Sequence, residues 1–319
     1  MNSRKKYRKV ALLKNSIKKF SKFPLFVLLL TLGFYNTQNE QNTLNWDNVK
    51  KDFEYLADKY EHLSNREKNI DEDSPIWMMW YQGLEEAPPI VLSCFQSVIE
   101  NRAKHPVYIL SKYNLDKYIN LPNYIIEKFN KGIFTITHFS DIVRMAVLYK
   151  YGGYWIDSTY LITKPLADIK TSFYTLKLNY CWTFGHPFIK CAWSVNFMGY
   201  SKKSFIATYG YKALLLYWKK YNSQIDYFLI DYLVYIAYNR VQKFNNTIDK
   251  LPYVNCSIFS LVQSLGFIYH ESYFECPFHK LTKNENWASV ENEKKTNFGY
   301  ILEKYKFKLD SKAKYIIVK

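Results

Sequence analysis

Short apolar runs and longer amphipathic runs alternate along the middle of the chain, and they predict strands and helices in turn. Ile76–Tyr81 and Pro106–Leu110 are brief and apolar, as expected of buried strands. Between them, Pro88–Arg102 carries apolar residues at helical spacing, and two short helices are expected near Leu115–Ile119 and Pro122–Asn130. This order predicts an α/β domain with a largely parallel central sheet and right-handed crossovers.

The next predicted helix carries an acid and a base on one face. Ser140 is expected to cap it, with Asp141 in the first turn, where a negative charge suits the helix dipole. Asp141 and Arg144 are three residues apart and therefore share a helix face. The apolar positions behind them follow helical spacing: Ile142, Met145, Ala146 and Tyr149.

A second acid follows at the end of the next predicted strand. Gly152 and Gly153 supply the permissive backbone that ends the helix, and Tyr154–Ile156 is typical of a short buried strand. Asp157 then lies at the carboxyl end of that strand, where open α/β sheets bind ligands. From spacing alone, a surface ion pair followed by a strand-ending acid explains the pattern as well as a ligand site does.

The segments on either side of this region have simpler patterns. Residues 41–70 are expected to form an amphipathic helix, which either docks on the chain's own domain or pairs in a homodimer. Residues 71–319 are predicted to form the catalytic domain, with an acceptor-side region from about 167 to 319. Ala213–Trp218 and Tyr232–Tyr238 in that region are apolar and predicted to be helical.

The N-terminal 40 residues differ from the rest in charge. The net charge is +16, and the first 39 residues contribute nine basic residues and no acid. Phe23–Tyr35 is apolar but shorter than the ~18–20 residues that a membrane-spanning helix needs. We expect a basic and apolar arm on the inner membrane face, because anionic lipids attract basic residues. A helix packed on the domain and a type II membrane anchor are the alternatives.

The cysteines indicate a compartment. There are five, an odd number, and none has the CxxC spacing. This pattern argues against a disulfide framework and against a zinc site, and it favours a reducing, cytoplasmic location.

The two acidic elements together resemble a known family. Ser140-Asp141-Ile142-x-Arg144 followed by Gly152-Gly153-x-Trp155-x-Asp157 is similar to the signature of the capsular polysaccharide synthesis glycosyltransferases, relatives of the DXD sugar-binding-region transferases. The resemblance is close from Pro75 to Leu166 and looser to about Lys283. It implies a GT-A-type nucleotide-sugar-binding fold with helical additions. It also implies transfer of a sugar, with retention, from a UDP-sugar to a capsular or cell-surface polysaccharide.

The resemblance also implies roles for residues at the donor site. Asp157 is expected to bind Mn²⁺ or Mg²⁺, and Asp141 and Arg144 are expected to contact the donor. The sequence departs from the wider DXD group at Asp157-Ser158-Thr159, which has one acid in place of two. Other donor-side candidates lie next to the predicted strand ends: Trp80, expected to stack on the base, Gln82, Gly83, Ser158 and Thr159. A core tryptophan is the alternative for Trp80.

The C-terminal region is expected to complete the site. His279 is the candidate second metal ligand, and Lys280 beside it is a candidate phosphate partner. Asp231 lies in a strongly apolar stretch, where a carboxylate must be paired or face a cleft, so it is the candidate that binds or activates an acceptor hydroxyl. A structural histidine is the alternative for His279.

Two other classes of function compete with the enzyme. A catalytically inactive nucleotide-sugar-binding scaffold would explain the missing second acid. A basic nucleic-acid-binding protein would explain the charge, but the densest charge lies in the short arm and no nucleic-acid motif is present. The expected partners are therefore a nucleotide-sugar donor and a glycan or lipid-linked glycan acceptor, with no nucleic acid.

Overall fold

A mixed β-sheet lies at the centre of the fold in a computed structural model of the chain, which describes residues 45–166, 170–179, 191–283 and 287–308 and the backbone of 315–316. The N-terminal arm expected at residues 1–40 lies outside the described residues. The strands, in chain order, are β1 (Ile76–Met79), β2 (Val107–Leu110), β3 (Gly153–Ile156), β4 (Tyr160–Ile162), β5 (Phe173–Thr175), β6 (Lys177–Leu178), β7 (Phe197–Tyr200), β8 (Tyr253–Val254), β9 (Phe278–Lys280), β10 (Val290–Glu291), β11 (Lys294–Lys295) and β12 (Tyr315–Ile316).

The central sheet has the strand order β12-β2-β1-β3-β7-β5. β1 runs parallel to β2 and β3, and β12 runs parallel to β2, whereas β7 is antiparallel to both β3 and β5. The expectation of an α/β fold is confirmed, but the sheet is mixed rather than largely parallel throughout. Because β1 and β3 are parallel neighbours, the residues that follow Met79 and Ile156 emerge at the same edge of the sheet.

Helices cover the sheet and also pack on one another. Three short 3₁₀ helices, Glu61–Arg66, Leu84–Glu86 and Glu271–Phe274, lie among them. The α-helices, in chain order, are α1 (Trp46–Tyr60), α2 (Pro89–Asn101), α3 (Leu115–Tyr118), α4 (Asn123–Asn130), α5 (Ile136–Tyr151), α6 (Phe205–Lys220), α7 (Leu229–Arg240), α8 (Gln242–Asp249), α9 (Ser260–Gln263) and α10 (Asn297–Lys304).

Helix α5 begins earlier than the sequence predicts. The N-cap is Thr135, with extended backbone (φ −77°, ψ 166°), so the prediction that Ser140 caps this helix was wrong. Phe139 is buried and stacks on Phe129 with ring centroids 4.2 Å apart. Packing of this apolar ring favours a helix that starts before Ser140, although Ser140 is a good capping residue. Asp141 therefore lies in the second turn instead of the first.

Two glycines end α5 and lead directly into β3. Gly152 has φ +72° and Gly153 has φ +91°, both in the region that side chains other than glycine rarely adopt. A Cβ at Gly153 would lie 2.0 Å from the carbonyl oxygen of Pro75. The close approach of these backbones allows β3 to pair with β1 immediately after the helix.

Helix α1 packs against α6 and α7 of the same chain. The Trp46 ring meets the Tyr232 ring edge-on at 4.5 Å, and Phe53, almost fully buried, lies 6.1 Å from the same ring. At the ends of the interface, Asp52 pairs with Lys220 and Asp58 pairs with Arg240. The amphipathic helix therefore docks on its own domain, which was one of the two alternatives.

The cysteines differ from the prediction. Cys256 and Cys276 form a disulfide, Cys191 is also disulfide-bonded, and Cys94 is free and buried. The argument from an odd count was wrong because it treats the cysteines as one set, whereas the fold brings Cys256 beside Cys276. Separately, within the ranges given above, none of the helices combines the length and the apolar character needed to cross a bilayer.

Candidate active site

Three of the predicted side chains meet at the edge of the sheet where β3 ends. Arg144 Nη2 lies 3.4 Å from Asp141 Oδ1 and 3.1 Å from Asp157 Oδ1, so one guanidinium bridges the two acids. Asp141 and Arg144 are 5% and 4% exposed, which makes this an ion cluster removed from bulk water. A buried charge needs such partners, because desolvation without them is costly.

The surrounding backbone fixes the orientation of these groups. Arg144 Nη1 donates to the carbonyl oxygen of Val195 at 2.8 Å, and its guanidinium lies 5.2 Å from the Trp155 ring. The Trp155 indole N–H donates to Asp157 Oδ1 at 2.8 Å, and the Asp157 amide donates to the carbonyl oxygen of Asn196 at 2.9 Å. The strand end and the helix are therefore cross-linked by hydrogen bonds to the same carboxylate.

Lys280 reaches the same carboxylate from a distant part of the sequence. Strand β9 pairs antiparallel with β4, and Lys280 lies opposite Tyr160. Its ammonium donates to Asp157 Oδ2 and to Thr159 Oγ1, both at 2.9 Å. Burial alone would raise the pKa of Asp157, but Lys280 and Arg144 outweigh burial and hold the pKa below its ordinary value. Asp157 is therefore a carboxylate at neutral pH.

Two further titratable groups border the cluster. His138 is buried, with Nδ1 3.5 Å from Asp141 Oδ2. Asp231, in the first turn of α7, is 6% exposed. Burial raises the pKa of Asp231 to about 7, the negative charge of Asp141 adds to the rise, and Arg144 opposes it. The site thus holds charged acids beside Asp231, which titrates near neutrality, a combination suited to proton transfer.

The donor-side candidates of the first strand lie at the same sheet edge, since they follow β1. Trp80 is half-buried, and Lys283 Nζ lies 5.1 Å from its ring centroid. Gln82 is exposed, and Gly83 is buried with φ +107° beside the Tyr113 ring. The structure places these residues near the strand end without a described contact between them and Asp157.

His279 is not brought together with Asp157. Successive side chains of a strand point to opposite faces, so Lys280 faces Asp157 and His279 faces away from it. The His279 ring is fully buried near the Phe274 ring at 6.1 Å, and burial lowers its pKa to about 4 against a weaker opposing effect of the Cys276 backbone. These surroundings are typical of a structural histidine, which was the alternative interpretation of His279.

The side chains around Asp157 do not fit a divalent cation. Both carboxylate oxygens already accept hydrogen bonds, from Arg144 and Trp155 on one and Lys280 on the other. Thr159, which offers a hydroxyl and no carboxylate, contacts the same ammonium. Across the described part of the chain, no three His, Cys, Asp or Glu side chains are grouped closely enough to hold a metal ion.

Sequence reasoning missed several residues of the site. No sequence pattern indicated the contact of His138 with Asp141 or the hydrogen bond from the Asp157 amide to the Asn196 carbonyl oxygen. Tyr227 is 39% exposed and lies 6.3 Å from His138, ring to ring. Desolvation of the hydroxyl by the side chains packed around it, together with the charges of Asp141 and Asp157, raises its pKa to about 12. The only available signal for Tyr227 was its position between the two acids Asp226 and Asp231.

Comparison with known protein families identifies a family that matches most of the chain. Residues 33–301 match the family described as capsular polysaccharide synthesis protein. The chain belongs to this family. The capsular polysaccharide synthesis match spans the whole Asp141–Asp157 region and extends through β9 and most of α10.

Other comparisons are weaker. A solved structure described as PaToxG Glycosyltransferase is similar over 64% of this chain and 79% of its own chain, at 15% identity and a TM-score of 0.38. No curated protein matches the sequence.

Proposed function

We propose that this protein is a glycosyltransferase that moves a sugar from a nucleotide-sugar donor, with UDP the expected nucleotide, to a capsular or cell-surface polysaccharide, with retention. Membership of the capsular polysaccharide synthesis family supports the pathway class. One observation carries the enzymatic part: Arg144 bridges Asp141 and Asp157 at the sheet edge that Lys280 also reaches. Two acids and two cations at one edge suit a sugar and a diphosphate.

The reaction explains these residue types. Breaking the bond between a sugar and a diphosphate leaves negative charge on the diphosphate, which preorganised cations stabilise. Lys280 and Arg144 supply that charge, and Asp141 and Asp157 accept hydrogen bonds from sugar or ribose hydroxyls. We assign the base to Trp80 and the nearby backbone of Gln82 and Gly83. We assign Ser158 and Thr159 to the phosphate side, since they follow Asp157 directly.

Asp231 is proposed on the acceptor side. A carboxyl with a pKa of about 7 can hold or release a proton at neutral pH, which a residue that binds an acceptor hydroxyl must do. It lies on α7, apart from the strand ends that we assign to the donor. The acceptor would then approach between α7 and the donor, bringing its hydroxyl to the sugar carbon.

We propose two alternative locations for the protein in the cell. The basic arm at residues 1–40 supports contact with an anionic membrane face, where a lipid-linked acceptor would lie. The Cys256–Cys276 disulfide supports the type II anchor alternative, because disulfides persist in oxidising compartments. Thiol labelling of the protein isolated from its native source separates these locations, since the first expects free thiols at both positions.

A donor screen tests the proposed function. The full chain is incubated with radiolabelled UDP- and GDP-sugars, with Mn²⁺ in one arm and EDTA in another. We expect release or transfer of sugar from one donor, and its loss in Asp157→Ala. The matched control is Asp116→Ala, an exposed acid on α3.

The outcomes separate the three classes of function. Full activity of Asp157→Ala would contradict the assignment of this site. Binding of a nucleotide sugar without turnover would favour the inactive scaffold. A protein that ignores every nucleotide sugar and retains RNA or DNA at physiological salt would favour the nucleic-acid binder.

A further inference from the structure

The Lys280 ammonium occupies the position beside Asp157 where a metal-dependent transferase would need its cation. It lies 2.9 Å from Asp157 Oδ2 and 2.9 Å from Thr159 Oγ1, and 5.2 Å from the Tyr160 ring centroid. The backbone holds it there, because β9 pairs with β4 and the Leu281 amide donates to the Thr159 carbonyl oxygen at 2.9 Å. The pairing of β9 with β4 therefore fixes the contact between Lys280 and Asp157.

The Lys280 ammonium can also donate a hydrogen bond to a ligand. A lysine ammonium has three N–H donors, of which Asp157 and Thr159 accept two. The Lys280 side chain is 20% exposed, so part of it borders the solvent from which a ligand would approach. Lys283, three residues further, brings a second ammonium over the Trp80 ring at the same sheet edge.

The charges leave little room for an additional divalent ion. Asp141 and Asp157 carry two negative charges, and Arg144 and Lys280 already balance them. An ion that bound Asp157 Oδ2 would have to displace Lys280 and would then lie next to two cations, which is electrostatically unfavourable. Thr159 offers a neutral hydroxyl, which is a weak ligand for a hard cation.

We propose that Lys280 replaces the divalent cation, so that donor binding and sugar transfer are independent of metal. This inference rests on the proposed function. The bond between the sugar carbon and the diphosphate oxygen breaks with its electron pair on oxygen, and Lys280 and Arg144 stabilise that charge. The acceptor oxygen bonds to the same carbon, and its proton leaves. The products are the extended glycan, a nucleoside diphosphate and one proton.

Calorimetry with UDP and with GDP tests the inference on the purified full chain. The wild type is titrated in EDTA and again in Mn²⁺, and we expect dissociation constants within about threefold of each other. Lys280→Met should bind at least about 10-fold more weakly, since a hydrogen bond to a charged group is lost. Lys280→Arg keeps the charge and should bind within a few-fold of the wild type. Lys294→Met, an exposed lysine on β11, is the matched control.

Three results would overturn the inference. The first is a wild type that binds nucleotide only when Mn²⁺ or Mg²⁺ is present, which needs no variant and so does not depend on folding. The second is a folded Lys280→Met, judged by circular dichroism, that binds as well as the wild type. The third is a failure of both UDP and GDP to bind, in EDTA and in Mn²⁺ alike, which would contradict the proposed function as well. The first two leave the proposed function intact.

Discussion

Asp231 should make the stability of this protein depend on pH in a characteristic direction. Burial raises its pKa to about 7 from 3.8, with Asp141 acting in the same direction. Between these two values the folded protein keeps a proton that the unfolded chain has lost. The folded state therefore binds more protons, and the free energy of unfolding falls as the pH rises from about 4 to 7. Asp231→Asn removes the titrating group and should remove this fall.

The size of the effect follows from the two pKa values. Each unit of difference corresponds to about 1.4 kcal/mol, so the whole shift costs about 4 kcal/mol once the pH is well above 7. Roughly 2–3 kcal/mol of this cost develops between pH 5 and pH 8. Below the unfolded pKa the carboxyl is protonated in both states and the cost disappears. Asn has nearly the shape of protonated Asp, so the variant isolates the charge.

Urea unfolding followed by tryptophan fluorescence measures this dependence at constant ionic strength between pH 5 and pH 8.5. The free energy of unfolding of Asp231→Asn minus that of the wild type should grow by about 2–3 kcal/mol over this range. Asp116→Asn, an exposed control, should follow the wild type at every pH. A difference between Asp231→Asn and wild type that stays constant with pH would refute the assigned burial effect.

Three further substitutions test the packing around the site. Arg144→Met leaves the buried Asp141 and the partly buried Asp157 without their shared partner, so urea unfolding should show a loss of about 3–5 kcal/mol, and a loss below about 1 kcal/mol would contradict the buried cluster. Cys256→Ser opens a bridge between residues 20 apart and should cost about 3 kcal/mol. In the wild type, that cysteine should resist alkylation in denaturant until a reductant is added, and early labelling would argue against the bridge. Gly153→Ala places a Cβ 2.0 Å from a backbone oxygen, whereas Gly132→Ala meets nothing within 4 Å, so the melting temperature should fall much further for the first. Equal falls would mean that the close backbone approach is absent.

The sequence predicted the centre of the site because its geometry is local. Asp141 and Arg144 share a helix face by spacing, and two glycines connect that helix directly to the strand that ends at Asp157. A short connection leaves few ways to arrange the acids, so their approach to each other follows from the order of the residues. The parallel pairing of β1 with β2 is likewise a common result of strand–helix–strand order.

The parts that sequence reasoning missed depend on long-range pairing. The antiparallel insertion of β7 between β3 and β5 has no local signal, because four apolar residues fit either direction. His279 and Lys280 were both assigned to the site, yet a strand can present only one of two neighbours to a given face. The register of β9 against β4 selects Lys280, and only the fold specifies that register.

The docking of α1 has a practical consequence for anyone who prepares a shortened form of the chain. A polypeptide that starts at Pro75 would leave the α6–α7 surface around Tyr232 uncovered and Lys220 and Arg240 without their acidic partners. Exposed aromatic surface of this kind promotes self-association. Soluble material should therefore be sought from fragments that begin at or before Asn45, whose side chain caps the helix.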